Sequence, residues 1–282
     1  MPEPTRPIMR YHGGKWMLAP WIVEHMPQHR YYIEPFCGAA SVLLRKPRSY
    51  SEVISDLNGE LMNMFRVARD HGPELCQLLE LTPFHREEYA LACKKSRNKI
   101  EQARRTIVRS YFGFGSNSHN QVTGWRSGVR ASGATPWSDW RTFPPQLVAT
   151  IERLQGVAME TRPALQVIEQ NDHHDALFYL DPPYVRASRD AGRDYKHELT
   201  DDGHRRMAKV LHGLEGMVML SGYRSKLYDE LFGDWHREEK AALADGGRKR
   251  TEVLWMNPAA MARHPSPGLF TPITITPELA IA

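Results

Sequence analysis

The sequence predicts an α/β chain: an open sheet of βα units, interrupted by an inserted basic segment. Three observations predict it. Short apolar runs alternate with helical periodicities at both ends of the chain, the pattern of βα units. Three of those runs end in chemically distinctive residues: Glu34-Pro35-Phe36-Cys37-Gly38, Asp56, and Asp181-Pro182-Pro183-Tyr184. In open α/β sheets, strand ends are where ligands bind. Third, the pattern breaks after about residue 70 and resumes after about residue 160, with a different composition between.

Trp16 to Met26 reads as a helix, Tyr31-Tyr32-Ile33 as a short strand, and about Ala40 to Arg45 as the helix after its turn. Glu52 to Ser55 is the next strand. Leu61, Met64, Phe65 and Ala68 then recur at helical spacing. Residues 86–110 read as helical, with Ile100, Ala103 and Ile107 on one stripe. Residues 113–135 hold five glycines among Ser, Asn and Thr, the composition of a long loop or hairpin tips. Trp125, Trp137 and Trp140 lie in or near it and suit either base stacking or a small tryptophan-pinned core. Ala176 to Leu180 is a buried strand, Asp201 to Leu214 a helix, and Met217 to Leu220 another buried strand closed by Ser221-Gly222-Tyr223. His236–Leu243 and Thr251–Met256 follow as two late strands, and a Pro-rich tail begins at His264. The expected division is a sheet domain from 1–70 and 160–282 with an inserted, mainly helical domain at 71–159.

Composition bounds the function. Hydrophobic and charged contents of 41% and 25% are those of a globular protein, and no apolar run approaches the roughly 20 residues that span a bilayer. The polar, Pro-rich Met1–Arg10 does not read as a signal peptide. Cys37, Cys76 and Cys93 have no metal-ligand spacing, so reduced thiols in a cytoplasmic protein and no metal are expected. The net charge of +4 is unevenly spread. Residues 94–141 carry ten Lys or Arg against Glu101 and Asp139, a net +8 inside a chain otherwise at −4. That is either a solvated basic helix face or the electrostatic footprint of a nucleic-acid partner, with Lys94, Lys95, Arg97, Arg104, Arg105, Arg126 and Arg130 as candidate contacts.

The strand-end clusters carry the chemistry. At Asp181 to Tyr184, two prolines fix the backbone and remove two N–H donors, leaving carbonyl acceptors. Asp181 adds carboxylate acceptors and Tyr184 an aromatic face. Such a cluster suits a flat ring bearing an amino group. Gly38, beside small Ala39 and Ala40, lets a ligand approach the first strand-to-helix turn. Asp56, at the end of the next strand, sits where a carboxylate accepts from ribose hydroxyls.

Taken in order along the chain, these motifs resemble the Dam-type DNA adenine methyltransferases. Arg10-Tyr11-His12-Gly13-Gly14-Lys15 looks like the family's N-terminal Gly-Gly-Lys motif. Tyr32 to Ser41 looks like its Glu-Pro-Phe-x-Gly motif, Ser55-Asp56-Leu57-Asn58 like its ribose-binding strand end, and Asp181 to Tyr184 like its catalytic motif. Ser221-Gly222-Tyr223 and Glu252 to Pro258 resemble its late strands. Ala40 stands where a glycine is frequent and Tyr11 where a tryptophan is frequent. The resemblance implies a Rossmann-like core that takes S-adenosylmethionine, with the inserted segment recognising double-stranded DNA. It implies that Tyr11, Lys15, Glu34, Pro35, Phe36, Gly38, Asp56 and Asp181 bind the cofactor, with Lys15 toward the donor's carboxylate. Asp181 and the Pro182 carbonyl would hold the amino group of a flipped adenine while Tyr184 stacks on its ring. No obligate protein partner is implied. An RNA or protein-amide methyltransferase of the same fold, and a non-catalytic DNA-binding relative, stay open.

Overall fold

The computed structural model describes residues 3–119, 121–128, 135–188, 197–243 and 249–264. Arg130, part of the turn after Leu243 and the Pro-rich tail beyond His264 lie outside the described residues.

Seven strands form one sheet: β1 Tyr31–Glu34, β2 Ser51–Ser55, β3 Val157–Glu160, β4 Ala176–Leu180, β5 Met217–Gly222, β6 His236–Leu243 and β7 Lys249–Met256, in the order β3-β2-β1-β4-β5-β7-β6. The first five strands are parallel, and β7 enters antiparallel between β5 and β6. Strand order therefore reverses between β1 and β4, the switch point at which open α/β sheets form a ligand crevice. Both β1 and β4 end in a motif singled out from sequence.

Burial follows the period of two. Tyr32, Leu177, Tyr179, Met217, Met219 and Leu254 face one core. Ile33, Phe178, Leu180, Val218, Leu220, Val253 and Trp255 face the other. With both faces covered, the central strands read as continuous apolar runs, which is why β4 and β5 were legible. On the first face lie α1 (Ala19–Glu24), α2 (Ser41–Arg45) and α3 (Gly59–Asp70); α3 starts on Asn58, whose side chain accepts from Glu60 N.

Five helices connect β2 and β3 after α3: α4 (Gly72–Glu80), α5 (Arg86–Ala92), α6 (Lys99–Phe112), α7 (Pro136–Arg141) and α8 (Phe143–Leu154). The helical stretch expected over 86–110 is two helices. The chain leaves α5 at Cys93 and restarts at Asn98, whose side chain accepts from Ile100 N and Glu101 N. An Asx cap satisfies the N–H groups of a new helix, so it marks a start. β3 draws residues 157–159 into the sheet, and α8 is fastened to β2 by Arg153, whose guanidinium donates to both oxygens of buried Glu52 at 2.6 and 2.8 Å. The second face carries α9 (Ala164–Gln170), α10 (Asp201–His212) and α11 (Lys226–Phe232), and α12 (Pro258–Ala262) closes the described chain. Among the described residues, no helix is long and apolar enough to cross a membrane.

Candidate active site

A cavity opens at the switch point. It is lined by Tyr11 to Lys15, by Glu34 to Ala39 after β1, by Asp56 to Asn58 after β2, and by Asp181 and Pro183 after β4. All eight residues expected to hold a cofactor, Tyr11, Lys15, Glu34, Pro35, Phe36, Gly38, Asp56 and Asp181, line it together. The segment His197-Glu198-Leu199 and Ala164 at the start of α9 complete the wall. Sequence analysis did not name these; 197–199 carry no periodic signal, and Ala164 opens a short helix.

The β1–α2 turn is tight. Gly38 has φ +47°, and a Cβ there would lie 2.7 Å from Tyr11 Cε1, so the Tyr11 ring covers the glycine face. Its N–H donates to Asp56 Oδ2 at 3.1 Å, and Asn58 N donates to Asp56 Oδ1 at 2.8 Å. One carboxylate thus ties together the ends of β1 and β2. Ala40 is also left-handed, at φ 50°, where a residue without a Cβ would fit without strain.

Glu34 is buried, and its Oε2 accepts from Tyr32 Oη at 2.8 Å and from Leu43 N at 3.0 Å. Leu43 lies in the first turn of α2, so the carboxylate also stabilises a helix N-terminus. Burial pushes the Glu34 carboxyl up to about 8, against the opposing pull of those two donors.

Asp181 is held on both oxygens. Lys15 Nζ donates to Oδ2 at 2.9 Å, and Ser221 Oγ at the end of β5 donates to Oδ1 at 2.9 Å. Lys15 also donates to Gly13 O at 2.9 Å. The Lys15 ammonium pairs with Asp181 at the end of β4, and Lys15 lines the same cavity. Tyr184 is 5% exposed. Its hydroxyl donates to Glu252 Oε1, Lys15 Nζ stands 4.9 Å from its ring centroid, and the half-buried Tyr223 meets it edge-on at 4.7 Å. Pro182 is buried beside it.

The basic residues of the insertion separate by direction. Lys94, Lys95 and Arg97 are exposed on the α5–α6 turn. Arg104 faces inward, away from a DNA surface: it is 7% exposed, and its guanidinium donates to Glu101, Glu88 and Thr82. Packing on the Ala103–Ile107 side of α6 turns it inward, so its charge is neutralised inside the helical layer. Arg105 pairs with Glu101 at 2.6 Å and donates to Lys94 O and Lys95 O, which fixes the α5–α6 turn. Arg126 donates to Tyr111 O and Asp139 Oδ2, each at 3.4 Å.

The glycine-rich segment contains a short antiparallel bridge between Gly113 and Trp125, reinforced by Phe114 N donating to Gly124 O at 2.8 Å. Phe114 and Val122 stand 69% and 72% exposed on this hairpin. Its foot is pinned by Tyr89 Oη donating to Thr123 O at 2.7 Å, and Ser116 lies 3.4 Å from His12 of the cavity wall. Trp140 is core, donating from Nε1 to Thr82 O at 2.8 Å and packing on Phe112, whereas Trp137 is 43% exposed.

Comparison with known proteins gives the family. The family model for D12 class N6 adenine-specific DNA methyltransferases matches residues 11–245. A type II methyltransferase of Lactococcus lactis subsp. cremoris is 26% identical, covering 89% of this chain and 95% of the relative. The DNA adenine methylase of Serratia marcescens is 25% identical over 88% of this chain and 92% of its own length, and that of Escherichia coli K12 is 22% identical over 84% and 86%. With the match running through nearly all of the sheet and the inserted helices, the chain belongs to the D12 class of N6 adenine-specific DNA methyltransferases.

Proposed function

We propose that the chain transfers a methyl group from S-adenosylmethionine to the exocyclic amino group of an adenine turned out of double-stranded DNA. The observation that carries this reading is the Asp181 carboxylate, fixed on both oxygens and opening into the cavity shared with Gly38 and Asp56. The donor set suits that cofactor. Asp56 is the acceptor type that ribose hydroxyls require, Phe36 supplies an aromatic wall, and the acidic Asp181 end matches a cationic donor. S-adenosylmethionine, when bound, supplies a methyl group on a positively charged sulfur.

The protein's own work is placement. A base inside a duplex cannot present its amino group, so it leaves the stack. Asp181 and the Pro182 carbonyl accept the two amino hydrogens. Acceptors on those hydrogens favour a pyramidal nitrogen, aim its lone pair away from the ring and stabilise the positive charge that develops there. Lys15 and Ser221 hold the Asp181 carboxylate in one orientation, which limits reorganisation during transfer. Tyr184 and the more accessible Tyr223 form the aromatic side of the cluster, against which the base ring packs.

Residues 71–159 supply DNA recognition. Exposed Lys94, Lys95 and Arg97 suit phosphates. The Gly113–Trp125 hairpin, which exposes Phe114 and meets the cavity wall through Ser116 and His12, is the right kind of element to occupy space left in the duplex. The test is methyl transfer from labelled S-adenosylmethionine to duplex DNA, RNA and protein, with nucleosides identified by mass spectrometry. N6-methyladenine in DNA is expected, lowered at least 100-fold in Asp181→Ala. Label appearing only in RNA or protein, or normal turnover by Asp181→Ala, would refute the reading.

A further inference from the structure

Glu252 stands in β7, and the mechanism above does not use it. It is 3% exposed, deep behind the Asp181 cluster. Burial pushes its carboxyl above the usual range, against the pull of Lys15. A carboxylate is expensive to bury unless it is paired and hydrogen-bonded. Glu252 has both kinds of partner, and both belong to the site. Its Oε1 accepts the Tyr184 hydroxyl and lies 3.9 Å from Lys15 Nζ. Lys15 in turn donates to Asp181 at 2.9 Å and stands over the Tyr184 ring at 4.9 Å. One buried oxygen thus touches the two side chains that flank Asp181, from an element 68 residues beyond Tyr184 in sequence.

Resting on the methyl-transfer reading, we infer that Glu252 is a positioning residue: it fixes the Tyr184 ring through its hydroxyl and holds Lys15 against Asp181, so the acceptor cluster is set before the base arrives. Glu252 contacts no reacting atom. It acts through Tyr184 and Lys15, and its removal strips the Tyr184 hydroxyl of its acceptor and Lys15 of the second of its two carboxylate neighbours.

The experiment is single-turnover methylation of duplex DNA at saturating donor, with donor affinity by calorimetry and a melting curve for each variant. The set is Glu252→Ala, Glu252→Gln, Tyr184→Phe and the Glu252→Ala/Tyr184→Phe double variant. Glu252→Ala is expected to slow transfer about 100-fold while donor affinity stays within about threefold. Glu252→Gln keeps an oxygen for the Tyr184 hydroxyl but loses the charge facing Lys15, so about a tenfold loss is expected. The double variant should be no slower than Glu252→Ala, because Tyr184→Phe then removes a bond already broken. If Glu252→Ala melts below the assay temperature, Glu252→Gln, which fills the same volume, decides: a rate within twofold of the parent overturns the inference. Multiplying losses in the double variant, or a loss confined to donor affinity, overturns it too. A parent chain that methylates no DNA would instead defeat the functional reading.

Discussion

Replacing Gly38 by alanine probes the turn on which the cavity is built. The residue has φ +47°, a region in which an L-residue other than glycine costs roughly 1–2 kcal/mol. The new Cβ would also lie 2.7 Å from Tyr11 Cε1, 3.2 Å from Cζ and 3.3 Å from Cδ1. All three atoms belong to one rigid ring, so the ring must swing as a unit, and moving it off its rotamer costs a further ~1 kcal/mol. The two effects add to about 2–3 kcal/mol. In a chain of this size that lowers the melting temperature by roughly 3–5 °C. The assay is thermal unfolding without donor, repeated in a Tyr11→Ala background. There the clash is gone and only the backbone cost of about 1–2 kcal/mol remains. A coupling of about 1 kcal/mol between the two positions is therefore expected. Equal losses in both backgrounds would show that Tyr11 does not lie over the glycine. No loss in either would show that the turn is not left-handed.

Glu34 titrates at about 8 in the folded chain against an unfolded value near 4.5, so the folded state binds more protons between those limits and this carboxyl's contribution to stability falls as pH rises through that window, by at most about 1.4 kcal/mol per unit. Glu34→Gln should therefore gain stability relative to the parent between pH 5.5 and 7.5 in urea melts; a constant difference would contradict the shift. Arg104→Ala should destabilise the chain by about 2 kcal/mol, because it strips a guanidinium partner from mostly buried Glu88 and leaves Glu101 with Arg105 alone, yet leave the salt slope of DNA binding unchanged. Lys95→Ala should do the reverse, lowering the slope by about one at unchanged stability, and a slope change in Arg104→Ala would return that residue to the DNA surface.

What could be read from the sequence was whatever local pattern determines. β4 and β5 are apolar throughout because both faces are covered, and their ends coincide with Asp181 and with Ser221-Gly222. The turns at Gly38 and Asp56 declare themselves by residue type, and all eight expected cofactor residues meet in one cavity. β3 escaped because Val157-Ala158-Met159-Glu160 has one β-branched residue and is a strand mainly by pairing with β2. The break between α5 and α6 had a signal that went unused: Asn98 before an apolar stripe is a start, and Glu101 set three and four residues before Arg104 and Arg105 announces intrahelical pairs. Counting charge over 94–141 measured its amount, whereas direction decides what it does. Arg104 points inward because Ala103 and Ile107 set which side of α6 packs, whereas Lys95 is exposed on the turn before that helix. The partners of Asp181 had no local signal at all. Lys15 is 166 residues away, and Glu252 reaches Tyr184 only because β7 inserts antiparallel between β5 and β6. The recognisable motif supplies the acceptors. The orientation of those acceptors comes from side chains that only the completed sheet brings together, so a variant chain that keeps Asp181 to Tyr184 intact but lacks Lys15 or Glu252 should fold around its cavity and transfer methyl groups slowly.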